Sequence, residues 1–344
     1  MQQFNKEQLF EKIKSMKYFN LHDSFEIFFE KQLMIPDSSI DAIMQLYPEY
    51  GGNAVYMILQ ADRLELTKVY FDHDPPVIEY RNSATGEIHR LSNLWFFPHP
   101  VHRDALHMEI ISSTLIEIGI KEVWRQRYPE LEQYSPMKCS IYDLVTQFSR
   151  DYETASEYDL LYIGSSRNVY QRLTNHETIL KIYRHTDHAN KEIFAWILNP
   201  KSKLYKQSEG DLACVTLSSS VWFKEGLLGM DVGDENLLFL AEAMLINYFK
   251  PKYNTHYVTK NPSTSHTVYA ELRNAGVKNL QLNLNLFMQI YKNILSIKTP
   301  TINTNRGKHI SLHSTLENME KYPQNNIISA EVMPEELYPF FIGK

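Results

Sequence analysis

Residues 159–188 read DLLYIGSSRNVYQRLTNHETILKIYRHTDH, and the flanking sequence takes its meaning from this stretch. Leu160, Leu161, Tyr162 and Ile163 form a short apolar, aromatic run of strand character that breaks at Gly164-Ser165-Ser166 into a polar turn. A helix follows, capped by Asn168 or Ser166, with Val169, Leu173, Ile179, Leu180 and Ile182 at helical spacing. Arg172 and His176 are four apart and share one helix face, while Tyr162 ends the strand that feeds the helix. Three polar side chains therefore converge on one surface. Taken singly, each also fits a plain structural role: a half-buried strand aromatic and a solvated helix face.

Working downstream, EIFAWIL at 192–198 reads as a further strand ending at Asn199-Pro200, and LACVTLSSSVWF within 201–235 as an extra strand or pair before a loop with Gly226, Gly229 and Gly233. A helix opens at Asp234-Glu235-Asn236, where acidic and amide residues suit an N-terminus, and runs to Pro251. Glu242 sits inside its apolar run, and a carboxylate there needs solvent, a basic partner or a cation. Asn254 follows closely enough to fold back onto the start of the sheet. Further on, VKNLQLNLNL alternates as a strand and LFMQIYKNIL reads as a helix.

Working upstream, Cys139 to Val145 is a strand candidate, separated from Tyr162 by the polar loop SRDYETASEYD. The first 45 residues read as helical, with Phe4, Leu9, Phe10 and Ile13 in one segment and Phe25, Ile27, Phe28, Phe29 and Leu33 in a second. From Gly51-Gly52 the runs AVYMILQ, LTKVYF, VIEYR and EIHRL form a small antiparallel sheet, and residues 101–128 return to helix. The fold class is α+β: an N-terminal α+β accessory or regulatory domain over 1–130, a second domain over 131–256 and a basic C-terminal extension over 257–344. His73, His99, His102 and His107 with Asp72 and Asp74 lack the spacing of a metal site, and Asp62, Glu65 and Lys68 lack that of a strand-borne nuclease site.

The net charge of −6 is unevenly placed. Residues 1–136 carry 13 Lys+Arg against 20 Asp+Glu, residues 160–206 carry 8 against 3, and residues 250–310 carry 9 against one. Basic segments on both sides of the opening stretch suit a phosphate-backbone partner, and the acidic N-terminal third does not. Two cysteines, Cys139 and Cys214, are too few for a disulfide framework or a cysteine zinc site. No run of about 18 apolar residues exists and the N-terminus lacks a signal-peptide pattern, so a cytoplasmic protein without a membrane partner is expected.

Tyr162-Ile163-Gly164, Arg172 ten residues after the tyrosine, His176 four further, Glu242 within LAEAMLI and Asn254 within KPKYN form an ordered set that resembles the GIY-YIG nuclease family over residues 138–256. The resemblance implies a small antiparallel sheet flanked by helices. It also implies a metal-dependent endonuclease that hydrolyses phosphodiester bonds of DNA, RNA not excluded, in restriction or defence against foreign DNA. For the first signature Ser140-Ile141-Tyr142 stands in, with Tyr152 as the alternative tyrosine. In this reading Glu242 holds Mg²⁺ or Mn²⁺, Arg172 grips the phosphate, Tyr142 and Tyr162 address the water with help from His176, and His185 and Asn254 complete the set. Lys260, Arg306 and Lys308 are the expected nucleic-acid contacts of the extension. A homo-oligomer is allowed for, because one active site cuts one strand. The competing expectation is a catalytically impaired nucleic-acid-binding protein on the same scaffold, motivated by the displaced first tyrosine.

Overall fold

A computed structural model describes residues 23–37, 40–46, 48–71, 76–92, 94, 103–128, 136–148, 157–205, 233–259, 266–288, 293–304, 309–316 and 329–332. The chain opens with β1 (Ser24–Pro36), α1 (Ile40–Leu46) and β2 (Ala54–Asp62). Next come β3 (Leu64–Phe71), β4 (Pro76–Asn82), β5 (Ile88–Leu91), β6 (Leu106–Ser112), β7 (Leu115–Ile120), α2 (Glu122–Arg127), β8 (Met137–Ser140) and α3 (Ile141–Phe148). The central stretch forms β9 (Glu157–Ser166), α4 (Val169–Asn175), α5 (Glu177–His185), β10 (Lys191–Tyr205) and α6 (Gly233–Phe249). The remainder is α7 (Thr267–Asn274), β11 (Asn279–Asn285), β12 (Phe287–Met288), β13 (Asn293–Ile294), β14 (Ser296–Lys298), β15 (His309–Thr315) and β16 (Ser329–Val332). Strands dominate and helices are few, which makes the fold α+β.

The organising element is an eight-stranded sheet in the order β14-β9-β2-β10-β1-β11-β15-β16. Strands β9, β2, β10 and β1 pair antiparallel in succession, and β11 joins β1 in parallel. From Ala54 to Leu59 every residue of β2 is fully buried, so this strand is covered on both faces. One face carries Val55, Met57, Phe194, Trp196 and Leu198 against α6, α7 and α3 in the larger core. The other carries Tyr56, Ile58, Ala195 and Ile197 under Ile40 and Met44 of α1, Val169 and Leu173 of α4, and Ile179 and Ile182 of α5.

Between the neighbouring strands β2 and β9 lies a long insertion, residues 63–156, which builds two three-stranded sheets, β3-β4-β5 and β6-β7-β8. It shares the larger core: Leu64, Leu66, Ile78, Tyr80, Ile116 and Ile118 pack in one cluster with Phe194 and Met244. The boundary expected near residue 130 therefore does not divide the fold, because β2 from its N-terminal side sits between β9 and β10. Nor does the boundary at 256, since β11, β14 and β15 from beyond it complete the same sheet.

Four local expectations need correction. Phe25, Ile27 and Phe29 belong to a strand, where burial at every second residue overrides their near-helical spacing. Residues 106–120 form the β6–β7 hairpin in place of a helix, and the run of isoleucines at 110, 111, 116, 118 and 120 is the β-branched signal for it. In the segment Cys139–Val145 the strand ends at Ser140 and a helix begins, its N-terminus held by Ser140 and Asp143, which accept hydrogen bonds from each other's backbone N–H at 3.1 and 3.2 Å. Within 286–295 the described residues pair as β12 and β13. The expected N-terminal helix through Phe4 to Ile13 and the strand within LACVTLSSSVWF lie outside the described residues.

Where β1, β11 and β15 adjoin, the face opposite the larger core is polar. Asn283 donates to Glu26, accepts from Ser311, and accepts from Gln281 Nε2 at 3.2 Å, with His309 Nε2 at 3.3 Å. Burial lowers the pKa of His309, with His313 adding to the effect, and also that of His313; both fall to about 4.

Candidate active site

Strand β9 delivers Tyr162 and stops because Ser166 and Asn168 turn the chain into α4. The Ser166 hydroxyl accepts from Asn168 N at 3.0 Å, and Asn168 Oδ1 caps the helix by accepting from Gln171 N at 3.0 Å. The helix that follows is two helices. His176 has extended backbone angles (φ −78°, ψ 126°) and is at once the C-cap of α4 and the N-cap of α5. Arg172 and His176 therefore do not share one helix face. They meet because the break turns the imidazole onto Tyr162, where the rings stack with centroids 5.6 Å apart.

A residue that the sequence reading missed completes this surface. Tyr56 of β2 lies opposite Gly164, and Ile58 opposite Tyr162, so the two tyrosines are diagonal neighbours with ring centroids 6.2 Å apart. Glycine at 164 is required there: a Cβ would stand 2.5 Å from the Tyr56 hydroxyl oxygen and 3.0 Å from Tyr162 Cε1. The Tyr56 hydroxyl lies against Arg172 and Tyr162, and His176 Nδ1 is buried without a hydrogen-bond partner among the described residues. An unpartnered imidazole nitrogen beside two phenols and a guanidinium suits a further group.

Glu242 comes from α6, which packs against β9, β10 and β2 on the larger-core face, and it acts electrostatically on Tyr56 and Tyr162 across β9. The start of α6 is tied to the ends of β2 and β9 by Asn53 Nδ2, which donates to Asp234 at 2.6 Å, and by the Arg167–Glu235 ion pair. Glu242 is flanked by the buried Ala241, Ala243 and Leu245, and its carboxylate accepts a 2.6 Å hydrogen bond from Ser165 Oγ. Burial raises its pKa, and Ser165, Arg172 and His256 oppose the rise. Burial likewise raises both phenols: Tyr162 adds to the effect on Tyr56, Glu242 adds to that on Tyr162, and Arg172 pulls each back. Burial and the Arg172 charge lower His176, so its ring is neutral at pH 7. One guanidinium thus acts on two phenols, an imidazole and a carboxylate.

Tyr142 is not in this group. It lies in α3 of the insertion, 4% exposed, with its ring edge-on to Phe194 at 4.8 Å and its hydroxyl accepting from Leu64 N at 3.0 Å. It belongs to the larger core, and the groups acting on its phenol are Glu192, Tyr158 and Arg63, none of which is in the site. Tyr152 lies outside the described residues. Asn254 arrives beside β9, but as a clamp: its Oδ1 accepts from Ile163 N at 2.9 Å and its Nδ2 donates to Ile163 O at 2.8 Å. Tyr253 N adds a bond to Leu161 O at 3.0 Å. Asn254 thus holds the strand that carries Tyr162 through one donor and one acceptor of its amide. His185 is exposed in the last turn of α5, some 13 Å along the helix from His176, and does not join the group. Lys260, Arg306 and Lys308 lie outside the described residues.

The signal for Tyr56 is present in the sequence as Ala54-Val55-Tyr56, an apolar run after Gly51-Gly52, but the insertion puts it more than a hundred residues from its partner. Comparison of the chain with protein-family models, with curated proteins and with solved structures finds no match.

Proposed function

We propose that this chain is a metal-dependent endonuclease of GIY-YIG type that hydrolyses phosphodiester bonds of DNA, with Ala54-Val55-Tyr56 in the place of the first signature and Tyr162-Ile163-Gly164 as the second. The observation that carries the reading is the grouping of Tyr56, Tyr162, Arg172 and His176 on one face of β2 and β9, with Glu242 acting on both phenols and on Arg172 from the other side of β9 and His176 Nδ1 unpartnered among the described residues. The competing reading as an impaired binding protein was motivated by the displaced first tyrosine; the placing of Tyr56 beside Tyr162 in space speaks for the enzyme.

The residues suit the chemistry. In-line attack on phosphorus needs an oriented water, a group to take its proton and neutralisation of charge on the phosphoryl oxygens. Arg172, exposed at the end of α4, offers a planar fork to two of those oxygens. His176, neutral at pH 7, accepts the water proton on a ring nitrogen. The two phenols, held protonated by burial, donate hydrogen bonds to the water or the phosphate. Glu242 fits a hard divalent cation: one carboxylate oxygen is engaged by Ser165, leaving the other for a ligand bond. No group of three or more His, Cys, Asp or Glu able to hold a metal occurs among the described residues. A single carboxylate would leave the cation to keep several waters, as Mg²⁺ does. When bound there, the cation supplies Lewis-acid stabilisation of the charge that develops on oxygen.

Incubation of the purified chain with supercoiled plasmid and Mg²⁺ or Mn²⁺ tests the reading. Wild type nicks or linearises the plasmid, Glu242→Gln does not, and Arg172→Ala is slower by about 10² to 10³-fold. Failure of wild type to cut duplex, single-stranded, methylated or unmethylated DNA, or RNA, would overturn it.

A further inference from the structure

Ser165 has no part in the residue set from which the nuclease reading was drawn, yet among the described residues it makes the hydrogen bond that fixes the Glu242 carboxylate. We propose that Ser165 is a positioning residue for the cation site, orienting Glu242 so that its second oxygen binds a divalent metal ion; the inference rests on the nuclease reading of Glu242.

The geometry carries it. Glu242 projects from a helix whose neighbouring side chains are buried and apolar, and a glutamate has three rotatable bonds with which to leave any one position. What holds it is a hydroxyl on the adjacent strand. Ser165 follows Gly164 directly, so its side chain points to the opposite face of β9 from the one that packs against the Tyr56 ring. The same two residues of the turn thus do complementary work: the missing side chain of Gly164 admits the Tyr56 hydroxyl, and the side chain of Ser165 anchors the carboxylate on α6. At 2.6 Å the bond is in the short range of O–H···O⁻ contacts, which stabilise the ionised carboxylate needed by a metal. Partners one step removed from a metal fix the orientation and charge of the ligand, and their loss costs about 10- to 100-fold in metal affinity.

The experiment is Mn²⁺ binding to the full chain without substrate, read by electron paramagnetic resonance of free Mn²⁺ and by calorimetry. Wild type, Glu242→Gln, Ser165→Ala, Ser165→Cys and Ser165→Thr are compared, with near-ultraviolet circular dichroism to verify the fold. Wild type binds, Glu242→Gln loses the site, Ser165→Ala and Ser165→Cys weaken it by about tenfold or more, and Ser165→Thr, which keeps the hydroxyl on a β-branched side chain suited to a strand, stays within about threefold of wild type. The cysteine variant keeps the size of serine with a much weaker donor, so it separates loss of the bond from loss of packing. Equal binding by wild type and Glu242→Gln would overturn the cation reading itself. Binding that needs Glu242 but is unchanged in Ser165→Ala and Ser165→Cys would overturn the role of Ser165 alone, as would a loss in Ser165→Thr as large as in Ser165→Ala.

Discussion

Two tyrosines show how much a position decides. Tyr142 and Tyr56 are both buried phenols in this chain, yet one accepts a backbone hydrogen bond inside the larger core and the other ends beside Arg172 and Tyr162. Tyr142→Phe should leave cleavage unchanged and cost about 1 to 3 kcal/mol of stability in urea titration, because Leu64 N is then buried without an acceptor. Gly164→Ala should lower both. Its Cβ would collide with the buried Tyr56 ring, so kcat falls by about 100-fold and stability falls by about 1 to 3 kcal/mol, while DNA affinity changes little. Retained kcat in this variant would show that the Tyr56 hydroxyl has no part in the reaction. The sequence made Tyr162, Arg172, His176 and Glu242 legible because strand, turn and helix signals fall close around them. It hid Tyr56 because antiparallel pairing across an insertion leaves no local trace, and it favoured Tyr142 because apolar context near Tyr162 looks the same on either face of a sheet.

Short elements hold the site in place. The segment after α6 turns at Lys250, whose left-handed backbone (φ 50°) ends the helix before Pro251, and then lays Tyr253 and Asn254 along β9. Asn254 makes two bonds to Ile163 that continue a strand edge with a side chain. Asn254→Ala should cost about 2 kcal/mol and increase amide exchange at Ile163 before global unfolding, with Asn254→Asp recovering only the bond from Ile163 N. Equal protection of Ile163 in wild type and Asn254→Ala would exclude the clamp. The helix break at His176 was not legible, because apolar positions at 169, 173, 179 and 182 continue a helical rhythm across it. The β1 and β6–β7 strands were misread for a related reason: dense apolar runs satisfy both periods, and burial on the sheet decides between them.

At the scale of the whole molecule, the polar face of β1, β11 and β15 sets a pH limit. His309 and His313 fall to about 4 in the folded chain against about 6.5 when exposed, so the unfolded chain binds more protons between those values. Stability is therefore full above about pH 6.5 and declines as pH falls through that window, by up to about 1.4 kcal/mol per pH unit for each imidazole. Urea unfolding at pH 7 and pH 5 should show the loss, and His309→Gln with His313→Gln should flatten it; an unchanged slope in the double variant would remove the histidines as its source. The α+β class was legible from composition and pattern, whereas the eight-stranded sheet was not, since it draws strands from both ends of the chain around an insertion. That insertion also orders events during synthesis. Tyr56 leaves the ribosome early, its strand partner follows only after residues 63–156, and the carboxylate on α6 comes later still. At roughly 5 to 20 residues per second the nascent chain spends several seconds with Tyr56 as the one site residue made. Under the proposed function a cell is thereby spared a partly made blade, because Glu242 follows only once more than two thirds of the chain has been made.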